Sequence, residues 1–161
     1  MKLNADKTTA TKFSKARKRH SKNILKLKDQ AIKFQPTTKY LGMTIDRKLN
    51  FKKHINMTAA RAMKAHNTLR PLIENFNETE ATKLYKIYVR PIMEYGLPAL
   101  KHLPENRFHK LCTTQNKILR HITGNHRHIT NEQIRKELNI SSFEQRIKDL
   151  TRNYEIRKLT T

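Results

Sequence analysis

The sequence predicts an α+β chain: a short antiparallel β segment followed by a mainly helical bundle of about five helices. Three observations carry this. The spacing of apolar residues changes after Asp46, from short alternating runs to steps of three and four. Beyond that point the apolar residues fall on continuous stripes, each facing a row of lysines and arginines. Only 3 glycines and 5 prolines interrupt 161 residues, too few for a loop-dominated or low-complexity chain.

The β segment occupies residues 1–50. Thr8 to Phe13 carries threonine and phenylalanine suited to a pleated surface. Ile24 to Leu27 and Ala31 to Phe34 flank Asp29-Gln30 and predict a hairpin. Pro36 interrupts, and Lys39 to Ile45 reads as a further strand. Between the first two runs, Lys12 to Lys22 holds six lysines and arginines and no acid, an exposed loop in which a nuclear localisation patch would fit.

The helical part spans residues 51–161. Phe51, Ile55, Ala59, Ala62, His66, Leu69 and Ile73 form one face of a helix over residues 51–75, with Lys53, Arg61 and Lys64 opposite. Asn77 with Glu80 three residues on is a capping-box variant that opens a second helix. Its inner stripe reads Ala81, Leu84, Tyr85, Tyr88, Ile92 and Tyr95, opposed by Lys83, Lys86 and Arg90. Pro91 should kink or end it. Gly96, Pro98 and Pro104 mark a connection. A third helix over residues 105–123 buries Phe108, Leu111, Cys112, Gln115, Ile118, Leu119 and Ile122, with Lys110, Lys117 and Arg120 outside and Gly124 closing it. Thr130 with Gln133 starts a short fourth helix ending at Asn139, and Ser141 with Glu144 starts a fifth. Phe143, Ile147, Leu150 and Tyr154 give that last helix its face.

Charge narrows the function. Lysine and arginine number 35 against 13 acids, a formal net charge of +22, and residues 1–53 alone hold 16 cations against 3 acids. A polyanion is the partner such a balance favours. No apolar run reaches the ~18 residues of a membrane span, and the N-terminus lacks the apolar core of a signal peptide. Both point to an intracellular protein, in nucleus or cytoplasm, with no membrane partner. One cysteine, Cys112, excludes an internal disulfide framework and a thiolate zinc cluster.

Catalytic constellations are scarce. Three isolated glycines build no phosphate loop. His121, His126 and His128 lie close together, but their spacing matches no zinc framework, and solvated histidines are the simpler reading. Cys112, between Leu111 and Ile118, reads as a small buried apolar residue rather than a nucleophile. The β segment offers Asp6, Asp29 and Asp46, with no paired aspartates for two-metal chemistry.

Three islands in order carry a resemblance. Leu3-Asn4-Ala5-Asp6-Lys7-Thr8 has the form L-N-x-x-K-T. Tyr40-Leu41-Gly42, then Asp46, Leu49, Phe51 and His54, give Y-L-G-x-x-x-D-x-x-L-x-F-x-x-H. Leu84-Tyr85, Val89-Arg90-Pro91-Ile92-Met93-Glu94-Tyr95-Gly96 and Gln115-Asn116-Lys117-Ile118-Leu119-Arg120 form the third. Together they resemble the reverse transcriptases of non-LTR (LINE-type, jockey-like) retrotransposons, over nearly the whole chain.

The resemblance implies a late-palm segment at residues 1–50 and a thumb with its C-terminal connection at residues 51–161. It would make Lys7 the lysine of motif D, close to the incoming nucleotide's phosphates. It would place Tyr40, Leu41 and Gly42 at the primer-grip hairpin. Lys52, Lys53, His54, Arg61, Lys64, Lys110, Lys117 and Arg120 would then line the contact with a template–primer duplex, RNA or RNA/DNA. The family's fingers and its metal-binding aspartates are not among these residues, so the resemblance implies a C-terminal piece that does not polymerise alone. Mg2+ belongs to the complete polymerase only, and the missing palm and fingers are an implied partner. A small basic RNA-binding protein unrelated to polymerases is the alternative.

Overall fold

The computed structural model describes residues 8–14, 24–27, 30–124 and 128–159. Lys7 and the rest of the first island up to it, most of the basic run after Lys12, Asp29 and His126 lie outside the described residues. The chain divides into two compact units, residues 1–54 and 55–161. The fold is α+β, with short strand pairs followed by a helical bundle.

In the first unit, β1 (Thr9–Ala10) pairs in parallel with β4 (Lys33–Phe34). Between them, β2 (Lys26–Leu27) and β3 (Gln30–Ala31) form the expected hairpin, with Leu27 opposite Gln30. The parallel pair departs from an all-antiparallel segment. Parallel strands need a long crossover, and residues 11–32 supply one. Local spacing reads 39–45 as one strand while the resemblance implies a hairpin there, and a hairpin forms, of β5 (Thr37–Tyr40) and β6 (Met43–Asp46), Tyr40 facing Met43. Its two turn residues, Leu41 and Gly42, have φ of 43° and 75°. Both signs are those of a type I′ turn, whose twist suits the flanking strands. Leu-Gly hides that turn, because its first position usually carries Asn, Asp or Gly.

Helix α1 runs Lys52–Ile73 and buries Ile55, Ala59, Ala62, His66 and Ile73, as its spacing predicts. Its only proline, Pro71, falls in the last turn.

The next helix is continuous but not uniform. α2 (Glu78–Leu84) passes through a π-helical turn (Tyr85–Val89) into α3 (Arg90–Glu94). Asn77 opens it with a complete capping box: its side chain accepts from the Glu80 N–H at 3.0 Å, and the Glu80 carboxylate accepts from the Asn77 N–H at 3.2 Å. The Arg90 N–H donates to the Tyr85 carbonyl, five residues back. Pro91 has no N–H, and its ring would crowd the carbonyl four residues earlier. Widening the preceding turn relieves that clash, so the helix runs on to Glu94 instead of breaking. The widening also rotates the inner stripe. Ala81, Tyr85, Val89, Met93 and then Leu97 are buried at steps of four. Tyr88 and Tyr95, expected inside, are exposed.

After Gly96, at φ 76°, two 3-10 turns (Leu97–Leu100 and Glu105–Phe108) lead into α4 (His109–Ile122). α4 and the turn before it bury every residue of the predicted stripe from Phe108 to Ile122. α5 (Asn131–Glu137) has its own complete capping box, Thr130 with Gln133. α6 (Phe143–Leu159) is capped by Ser142, whose Oγ accepts from the Gln145 N–H at 3.1 Å, one residue later than Ser141 would have been. The core of this unit is Tyr85, Val89, Met93, Leu97 and Leu100, with Leu111, Ile118, Leu119, Ile134 and Phe143.

Candidate nucleic-acid interface

The β5–β6 hairpin is fastened at its base by one carboxylate. Asp46 accepts from the N–H groups of Phe51 at 2.6 Å, Asn50 at 3.2 Å and Lys48 at 3.3 Å. Those bonds hold a loop in which Leu49 and Phe51 sit at φ of 56° and 54°, a left-handed backbone that bulky side chains rarely adopt. A second tie joins strand to helix, as the buried Thr44 N–H donates to Nδ1 of His54 at 3.4 Å. The second island's pattern is thereby explained in structure. Asp46, Leu49, Phe51 and His54 are the residues that hold this corner. The hairpin's tip is open: Tyr40 is 65% and Leu41 72% exposed, and Gly42 is exposed with them.

Helix α1 contains no acidic residue in its 22 positions. Lys52, Lys53, Arg61 and Lys64 are all exposed. Lys53, Arg61 and Lys64 fall within a sector of roughly 80° opposite the buried stripe, and Lys52 lies to its flank. His54 departs from this surface. It is buried, and its Nδ1 accepts a backbone bond, so it serves the corner and does not face outward.

The outer face of α4 is thinner than its spacing suggests. Lys110 and Lys117 are exposed. Arg120 is turned into the fold, where its Nε donates to Asn131 Oδ1 and its Nη2 to the Ile129 carbonyl, both at 2.9 Å. On the preceding helix Lys83 is exposed, but Lys86 Nζ donates to the Asn139 carbonyl at 3.2 Å, just beyond α5. Arg90 donates to Glu94 at 2.7 Å and to Ser141 Oγ at 2.9 Å. Glu94 also receives Arg146, at 2.7 and 3.0 Å. Such tertiary bonds bring together residues far apart in sequence, and no local spacing announces them.

The remaining reactive groups are inward. Burial, reinforced by the hydrogen bond and charge of Glu144, pushes the Cys112 thiol up to about 12, which leaves it un-ionised and inert as a nucleophile. His66 and His121 meet ring-edge to ring-face, centroids 4.9 Å apart. Among the described residues no three histidine, cysteine or acidic side chains are grouped to hold a metal ion. No helix among them is long and apolar enough to cross a membrane.

Two proteins of Drosophila melanogaster are similar in sequence. The probable RNA-directed DNA polymerase from transposon BS is 27% identical over 124 residues, 74% of this chain and 14% of its own. The RNA-directed DNA polymerase from mobile element jockey is 27% identical over 158 residues, 96% of this chain and 17% of its own. The chain thus spans about one-sixth of the length of these relatives or less. No family model matches it, and no solved structure does. The chain is thus similar to parts of the RNA-directed DNA polymerases of mobile elements, jockey among them.

Proposed function

We propose that this chain is the primer-grip and thumb part of a retrotransposon reverse transcriptase, and that it holds a template–primer duplex by its phosphate backbone. The observation that carries the reading is α1: a helix without one acid, buried on one side and presenting Lys53, Arg61 and Lys64 on the other. Cations spaced along a helix can follow a duplex backbone without reading its bases. The exposed hairpin tip, Tyr40-Leu41-Gly42, supports the primer-grip assignment, since a type I′ turn at the end of a hairpin fastened at its base by Asp46 offers an exposed edge.

Binding is the part this reading gives the chain. Lys110 and Lys117 extend the positive surface on α4.

The test is fluorescence anisotropy on a labelled RNA/DNA hybrid between low and moderate salt. Log K should fall linearly with log salt, by about 0.7–0.9 per phosphate contact. Arg61→Ala with Lys64→Ala should weaken binding and flatten that slope by about 1.4–1.8. A slope of zero in the unaltered protein overturns the reading.

A further inference from the structure

We propose that Tyr88, Pro91 and Tyr95 form a stacking platform for the bases of single-stranded nucleic acid, set out by the π-helical turn. The proposal rests on the nucleic-acid reading above, but on a different helix from the one that carries it.

The helix from Glu78 to Glu94 has already met its need for burial. Ala81, Tyr85, Val89 and Met93 fill its inner side. An unbroken α-helix would have brought Tyr88 and Tyr95 toward that side, at the spacing the sequence suggests. The extra residue in the turn at Tyr85–Val89 moves both outward instead. Each is 57% exposed, and Pro91 between them is exposed too. Positions 88, 91 and 95 are three and four apart, so they lie along one side of the helix. The two tyrosines stand about 10 Å apart along its axis. The helix that carries Tyr88 and ends just before Tyr95 is capped at Asn77 and tied at its far end through Glu94 to Arg146 of α6.

Charge selects the occupant. Glu94, the one acid between Lys83 and Tyr95, is engaged by two arginines. Lys83 is exposed at the platform's N-terminal end, and Lys86, exposed beside it, keeps its charge while it donates to the Leu138 and Asn139 carbonyls. An apolar strip with cations beside it, on a chain of net charge +22, suits a polyanion that also presents flat apolar faces. Single-stranded nucleic acid does both. A duplex hides its base faces in its own stack.

Binding of labelled oligouridine and of a blunt RNA/DNA hybrid, each over a range of salt, tests the platform. Tyr88→Ala with Tyr95→Ala should lower affinity for oligouridine by tenfold or more, since each base–aromatic stack contributes about 1–3 kcal/mol. Hybrid binding should not change. The salt slope for oligouridine should also hold, because no phosphate contact is removed. Tyr88→Phe with Tyr95→Phe keeps the rings and should retain affinity. Unchanged oligouridine binding in the alanine variant overturns the platform. Equal loss on the hybrid does so as well, as does self-association that the alanine substitutions abolish while oligouridine affinity stays the same. The two readings fail separately. Loss of hybrid binding in the Arg61 and Lys64 variant supports the α1 face whatever the tyrosines do.

Discussion

His66 lies on the buried side of α1 with its ring against that of His121 on α4, and the Nδ1 atoms of both rings are buried without a hydrogen-bond partner. Burial, then the nearby His121 and Arg70, lowers its pKa from 6.5 to about 4. In the unfolded chain the same imidazole titrates near 6.5. Between those values the unfolded state binds more protons than the folded one, so stability rises with pH. The stabilisation is therefore complete above about pH 6.5 and is lost as pH falls toward 4, by about 3 kcal/mol in all. Urea unfolding at pH 7, 6, 5 and 4 should show this decline, and His66→Phe should remove that part of it. An equally steep decline in the variant would place the acid sensitivity elsewhere. The same residue shows what spacing does and does not reveal. His66 sits on the predicted stripe, so its burial was legible; its contact with a histidine 55 positions away was not. His54 is the opposite case. It stands beside Lys52 and Lys53 in sequence, yet it is buried and accepts a bond from the Thr44 N–H.

The helices were legible in proportion to how local their causes are. Both capping boxes form as their residue pairs predict, because donor and acceptor lie three positions apart. Asn77→Ala and Thr130→Ala should each cost about 1 kcal/mol, a fall of about 2–4 °C in Tm for a chain of this size. Thermal unfolding followed by circular dichroism measures it, with Asn77→Asp as the control that keeps a capping oxygen. The stripes of α1 and α4 were equally plain, since seven positions at helical spacing leave little freedom of register. Past Tyr85 the second helix departs from a period of 3.6, because Pro91 imposes a wider turn. The strands were hardest. Two-residue strands carry almost no alternation, and the Leu41-Gly42 turn lacks the Asn-Gly or Asp-Gly pair that signals a hairpin. For the candidate interface, the cations of α1 followed from amphipathicity alone. Arg120, Lys86 and Arg90 are tied instead to partners around α5 and the connection that follows it.

At the scale of the whole molecule, the excess of positive charge is a cost to the folded state. Thirty-five cations share 13 acids, and several of those acids are already committed. Glu74, Glu94, Glu105 and Glu155 are in ion pairs, and Asp46 is bound to backbone N–H groups. The remaining cations repel one another more in the compact chain than in the expanded one. Salt screens that repulsion, with a Debye length falling from about 30 Å at 0.01 M to about 10 Å at 0.1 M. Exposed pairs such as Arg70–Glu74 and Lys148–Glu105 lose attraction at the same time, but each contributes only about 0–1 kcal/mol. Repulsion dominates, so Tm should rise as sodium chloride goes from 10 mM to 200 mM. A polyanion that binds only the folded state should raise Tm further, in proportion to the logarithm of its concentration above Kd. Differential scanning fluorimetry with the RNA/DNA hybrid at fixed salt separates the two effects. A Tm that falls with sodium chloride would mean that ion pairs outweigh self-repulsion. A Tm indifferent to the hybrid would mean that the positive surface does not discriminate the folded chain from the unfolded one. That surface is then a property of composition alone, and the ordered cation face of α1 loses its claim to a partner.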